Sequence, residues 1–125
     1  MTRTSEPTHP LVSLIAAIAI LPSVGCEVLD LADFPCPTGG TTLTYQNFGQ
    51  GFFSANCDHC HSAQSGNREG APDAYAFDSL AQILEHTERI FARSAGPNDS
   101  MPIGPDDPPR EERDKLAEWL ACGAP

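Results

Sequence analysis

Apolar positions in this chain fall into short stretches with a helical period, separated by runs rich in proline, glycine and charge. The first stretch differs from the others. Leu11 to Leu21 is apolar except for Ser13 and follows a polar start that contains Arg3. It is too short for an ordinary transmembrane helix and has the form of a signal-peptide apolar region. Glu27 to Thr42 holds Pro35, Pro37 and Gly39-Gly40 and reads as a tether and entry loop. From Tyr45 to Ala55, Tyr45, Phe48, Phe52 and Phe53 recur at helical spacing, with Thr44 placed as N-cap. Gly49 and Gly51 each cost that stretch about 1 kcal/mol of helix propensity relative to Ala. Close approach of another helix to the bare backbone would offset that cost.

Ser62 to Ala76 is polar and glycine-bearing, hence loop. The most regular pattern starts at Phe77. Ser79-x-x-Gln82 forms a capping box, and Leu80, Ile83, Leu84, Thr87, Ile90 and Phe91 share one face. Gly96-Pro97 stops that helix. Asn98 to Pro109 contains four prolines and is loop again. A last helix runs from Arg110 to Cys122, with Glu111 and Glu112 in its first turn, Leu116, Trp119 and Leu120 facing inward, and Gly123 ending it. There is no strand pattern and no internal repeat. The expected organisation is a leader over 1–25, a tether over 26–43 and a small all-α domain over 44–125.

Composition narrows the function. Seven Lys and Arg against seventeen Asp and Glu give a formal charge of -10 in 125 residues. That surface is poorly suited to nucleic acid, whose binding rests on basic side chains neutralising phosphates, and to anionic headgroups for the same reason. Five cysteines in so short a chain point to an exported protein, where disulfides persist.

Two of those cysteines carry the chemistry. Cys57-Asp58-His59-Cys60-His61 reads Cys-x-x-Cys-His, the attachment signature of a c-type haem. Two thiols one helical turn apart can add across the two porphyrin vinyl groups, and the next residue, His61, then lies against the iron. The pair also suits thioredoxin-like redox chemistry, and two Cys with two His could hold zinc. Met101, the only methionine besides the initiator, lies in a proline-flanked loop rather than on an apolar helix face, which marks it as a candidate iron ligand. His86, at the edge of the middle helix's apolar stripe, is the rival ligand or a solvated side chain. His59, caught inside the motif, is expected at the surface, and His9 belongs to the leader.

From Thr44 to Cys122 the chain resembles a class I cytochrome c. Gly49 and Phe53 stand eight and four residues before the first haem cysteine, where that family's N-terminal helix crosses its C-terminal one, and Leu116 and Trp119 match the partners at that crossing. Gly70-Ala71-Pro72 resembles the turn whose proline carbonyl accepts the proximal imidazole proton, with Ala71 interrupting the family's Gly-Pro pair. Met101-Pro102 resembles the loop that brings a methionine sulfur to the iron's other face. The resemblance also implies that the first and last helices meet. In an oxidising compartment this suggests a Cys36–Cys122 disulfide, with two buried thiols as the alternative. Pro22-Ser23-Val24-Gly25-Cys26 resembles the lipobox of bacterial lipoproteins, with Ser23 where that family usually has Leu. This implies a lipid on Cys26 and the periplasmic side of a bacterial membrane; the alternative is an ordinary cleaved signal peptide.

Together these readings imply an electron carrier and not an enzyme, with one haem c attached at Cys57 and Cys60. Its iron would be ligated by His61 and Met101, with Pro72 behind the histidine. Phe53, Leu84, Phe91 and Trp119 would keep the haem dry. An imidazole paired with a thioether raises the reduction potential. The expected partners are redox proteins and, through the lipid, a membrane. The rival readings are a haem sensor or complex subunit with an open iron site and a thiol–disulfide oxidoreductase.

Overall fold

The computed structural model describes Met1 and residues 29–125. The leader, with His9, and Cys26 lie outside the described residues. All regular structure among the described residues is helical: α1 Gln50–Asn56, α2 Asp58–His61, α3 Leu80–Glu85, α4 Thr87–Ser94 and α5 Arg110–Ala121. Leu31–Asp33 and Asp73–Tyr75 form 3-10 turns, and Tyr45–Gly49 is a π-helical turn leading into α1. The fold is all-α. Among the described residues no helix is long and apolar enough to cross a membrane.

Thr44 begins the first helical stretch, as its position predicts. Its Oγ1 accepts from the Asn47 amide at 3.1 Å, and Asn47 Oδ1 accepts from the Thr44 amide at 2.7 Å. This satisfies donors that a helix start leaves unpaired. The π turn carries Gly49 to the indole of Trp119. A Cβ placed on Gly49 would lie 2.7 Å from two Trp119 ring atoms, so only a glycine lets the two elements approach this closely. Gly51, in contrast, meets nothing within 4 Å. Trp119 Nε1 donates to the Pro125 carbonyl at 3.3 Å, and the Tyr45 amide donates to the same oxygen at 2.7 Å. The crossing is thus tied by polar as well as apolar contact.

The core is continuous and aromatic-rich. Trp119, Phe91, Ile83 and Leu116 have no exposed surface. Phe53 lies edge-on to Phe77 at 5.7 Å and to Trp119 at 6.3 Å, the geometry that ring quadrupoles favour. α4 packs on α5. Gly96, at φ +58°, ends α4 in the left-handed region and donates its amide to Arg113 O at 2.8 Å, joining the loop to α5.

Two expectations are corrected here. The middle helix is not one piece: α3 and α4 are separated at His86, with φ -121° and ψ 16°. Its cap is as expected, with Ser79 accepting from the Gln82 amide at 3.3 Å. The break follows from hydrogen bonds that compete with the helix ladder. The His86 amide reaches back only to Ile83 O at 3.0 Å, and Thr87 Oγ1 donates to Leu84 O at 3.0 Å. The break also changes the face. Ile83, Ile90 and Phe91 are buried, but Leu84, expected inside, is 45% exposed.

The second correction concerns the segment expected as tether and entry loop. From Leu29 onward it packs on the body: Leu29, Leu31, Phe34 and Leu43 lie against the core, and Phe34 stands 5.7 Å from Phe91. The buried Asn98 side chain accepts from the Leu29 amide at 3.2 Å and donates to Leu29 O at 2.9 Å and Phe91 O at 3.0 Å. Cys36 and Cys122 form a disulfide, closing a sequence separation of 86.

Candidate functional site

Cys57 occupies the junction between α1 and α2, where its φ of -120° interrupts the helix. Its carbonyl then accepts from both the Cys60 amide at 3.1 Å and the His61 amide at 2.8 Å. One tight turn therefore holds Cys57, Cys60 and His61 together. Both thiols are free and half-buried. The Cys57 side chain packs at the edge of the core. Burial, reinforced by the charge of Asp58 and by Cys60, pushes its thiol up to about 12. A thiol–disulfide nucleophile needs the opposite, a thiol shifted toward the thiolate at neutral pH. His59 is exposed, as expected.

His61 is held from one side by the segment 75–77. Its Nδ1 lies 2.7 Å from Tyr75 O, its ring stacks on Phe77 at 4.8 Å and 19°, and its own carbonyl accepts from the Phe77 amide at 2.7 Å. A carbonyl can only accept, so Nδ1 carries the hydrogen, and in that tautomer Nε2 is the nitrogen that presents a lone pair. The carbonyl that meets this imidazole belongs to Tyr75 and not to Pro72. Pro72 O is taken up by Arg68 Nη2 at 3.0 Å and by the Tyr75 amide at 2.9 Å.

Arg68 was not singled out by the sequence, where it is one charge in a polar loop. Its guanidinium donates to Cys60 O at 3.2 Å, Asp73 Oδ1 at 2.5 Å, Pro72 O at 3.0 Å and Tyr75 O at 3.4 Å. The flat fork of five donors suits this work, spanning from the motif to the turn behind it. His86, half-exposed, is also engaged: its Nε2 bonds Ala74 O at 2.8 Å, and its ring lies 4.8 Å from Tyr75. Neither Arg68 nor His86 follows a local sequence pattern, because both act on carbonyls distant along the chain or hidden within a loop.

One carboxylate, Asp58, lies within the motif and another, Asp78, beside it. Asp78 accepts from Ser62 Oγ at 2.5 Å and from the Ala63 amide at 2.9 Å. These bonds, the Ser62 one foremost, hold its carboxyl below the usual range. Asp58 is raised instead, first by burial and then by the Asp78 charge, and its Oδ1 is buried with no hydrogen-bond partner.

Met101 lies on the loop after α4, half-buried, with its amide donating to Arg93 O at 2.9 Å. It shares no hydrogen bond with the Cys57–His61 turn. Among the described residues, no three or more His, Cys, Asp or Glu side chains converge as a metal-binding group. The two cysteines and two histidines of the motif are therefore not gathered as a zinc set. The donor chemistry of α2 fits a haem on its proximal side, with two free thiols one turn apart and an imidazole whose Nε2 is uncommitted. No family model, no curated protein and no solved structure matches the chain.

Proposed function

We propose that this protein is a single-haem electron carrier, exported and held at a membrane by a lipid on Cys26. The observation that carries the reading is the His61 imidazole. Its Nδ1 proton is committed to a backbone carbonyl, beside two free cysteines at haem-attachment spacing. A hydrogen bond from the nitrogen that faces away from the metal fixes a ligand ring's tautomer and orientation and raises its basicity.

When bound, haem c supplies a one-electron iron couple. Cys57 and Cys60 would carry its thioether bonds, His61 Nε2 would be the proximal ligand and Met101 Sδ the distal one. The 75–77 segment holds the imidazole in place through ring, carbonyl and amide. Phe53, Phe77 and Trp119 form a dry wall behind the motif, with exposures of 2%, 9% and 0%. A buried, apolar setting limits solvent access and so tunes the potential.

Absorption spectra of the purified exported protein, oxidised and reduced, test the proposal. Covalent haem with a low-spin spectrum in both states is the expected result. Colourless protein overturns the proposal, and a high-spin iron that takes up exogenous ligands replaces the carrier with a sensor.

A further inference from the structure

We infer that His86 is a positioning residue for His61, acting through the 73–75 turn; the inference rests on the haem reading above. Three contacts converge on that turn from the α3–α4 break. His86 Nε2 holds Ala74 O at 2.8 Å, the His86 ring lies 4.8 Å from Tyr75, and the Arg89 guanidinium carbon stands over the Tyr75 ring at 5.2 Å. The next carbonyl along the chain, that of Tyr75, is the one that receives the His61 Nδ1 proton. His86 also stands 6.0 Å from Phe77, the ring on which His61 stacks.

The helix break has a use in this light. An unbroken helix through residue 86 would place its ring by helical register alone. The break at φ -121° frees it to reach a loop twelve residues earlier. A histidine suits the position because it combines a flat ring, which packs on Tyr75, with a donor at its far end for Ala74 O. The residue thus holds the Ala74 carbonyl by a hydrogen bond and the Tyr75 ring by packing, and the carbonyl of Tyr75 is the one that holds His61. A weaker hold on Nδ1–H leaves the imidazole a poorer electron donor, which favours the reduced state and raises the potential.

Hydrogen exchange of the His61 Nδ1 proton, followed by NMR in the reduced holoprotein, tests this against the amides of Leu116 and Trp119. His86→Leu should speed exchange at His61 about tenfold or more while the two core amides stay within about twofold, since local opening and global unfolding are separately visible. The reduction potential should rise. His86→Gln, which can still donate to Ala74 O, should restore most of the wild-type rate, and His86→Phe, which keeps only the ring, should not. If His86→Leu fails to fold, the Gln and Phe pair carries the same comparison. An unchanged His61 rate, or an acceleration shared equally by the core amides, overturns the inference while leaving the haem reading intact. Wild-type protein without covalent haem, seen by haem staining before any variant is made, overturns the parent reading and this inference with it.

Discussion

Where the π turn and α1 meet α5, holding is done mainly by apolar contact: Gly49 against the Trp119 indole, and Phe48 and Phe53 within 6.3 Å of the same ring. Around α2 it is done by polar side chains on backbone carbonyls, with Arg68 on Cys60, Pro72 and Tyr75, His86 on Ala74 and His61 on Tyr75. The two kinds of bond differ in what they specify. Apolar burial is non-directional and scales with area, so the crossing decides whether the chain folds. A hydrogen bond contributes only about 0.5–1.5 kcal/mol net but demands an angle and a distance, so the carbonyl ties decide where a few atoms lie. Stability and site geometry thus rest on largely different contacts, with Phe77 shared between them, and perturbations should separate them.

The largest expected effect breaks the site alone. Cys57→Ala/Cys60→Ala should abolish haem staining on a denaturing gel, and full-strength staining would refute the attachment. Next comes Met101→Ala, which should leave the haem attached, open the iron to exogenous ligands and lower the potential. That drop should be a plain fraction of the about 0.8 V that axial ligands span, and an unchanged titration would remove Met101 as a ligand.

On the other side of the comparison, Cys36→Ala/Cys122→Ala should cost about 4–5 kcal/mol in urea unfolding, by the chain-entropy treatment of a loop closed over a separation of 86. Gly49→Ala should cost about 1–3 kcal/mol, because the added methyl meets the indole at overpacking distance. The potential should stay at its wild-type value, and a large shift would show that the halves are coupled after all. The smallest effect is at Asp58. Its carboxyl is raised in the fold, so the protonated form is favoured and stability is lost as pH rises through the folded value. Asp58→Asn should therefore stabilise slightly at neutral pH, with the gain vanishing below the ordinary carboxylate value of about 3.9. Solvent screening keeps the effect small.

The crossing was largely legible in the sequence. Spacing marks Phe53, Leu116 and Trp119 as apolar-face residues, their meeting at Gly49 was implied by the family resemblance, and Thr44, Ser79, Gly96 and Gly123 punctuate the helices through local chemistry that a short window displays. The α2 motif was legible for the same reason, since Cys57, Cys60 and His61 share one turn. What escaped depends on contacts between distant segments. His86, at the break in its helix, reaches a carbonyl at residue 74, and Leu84 on the same stretch is exposed. Tyr75, and not Pro72, supplies the oxygen for His61, and a carbonyl leaves no trace in side-chain identity. The entry segment looked like a linker because its prolines and glycines hide Leu29, Leu31 and Phe34; Leu29 bonds Asn98, 69 residues on, and Phe34 packs on Phe91 in α4.

The clasp between Asn98 and Leu29 sets a length. Leu29 is fastened to the body at both its amide and its carbonyl, and only two residues separate it from Cys26. Three Cα steps reach at most about 11 Å. With a lipid on Cys26, as proposed, the domain has no leash on which to swing out from the bilayer. It would ride the surface like a float on a very short line, exploring a plane by diffusion, with Leu29 never more than about 11 Å from the lipidated residue. A partner that exchanges electrons with it would have to come down to that plane or share the membrane.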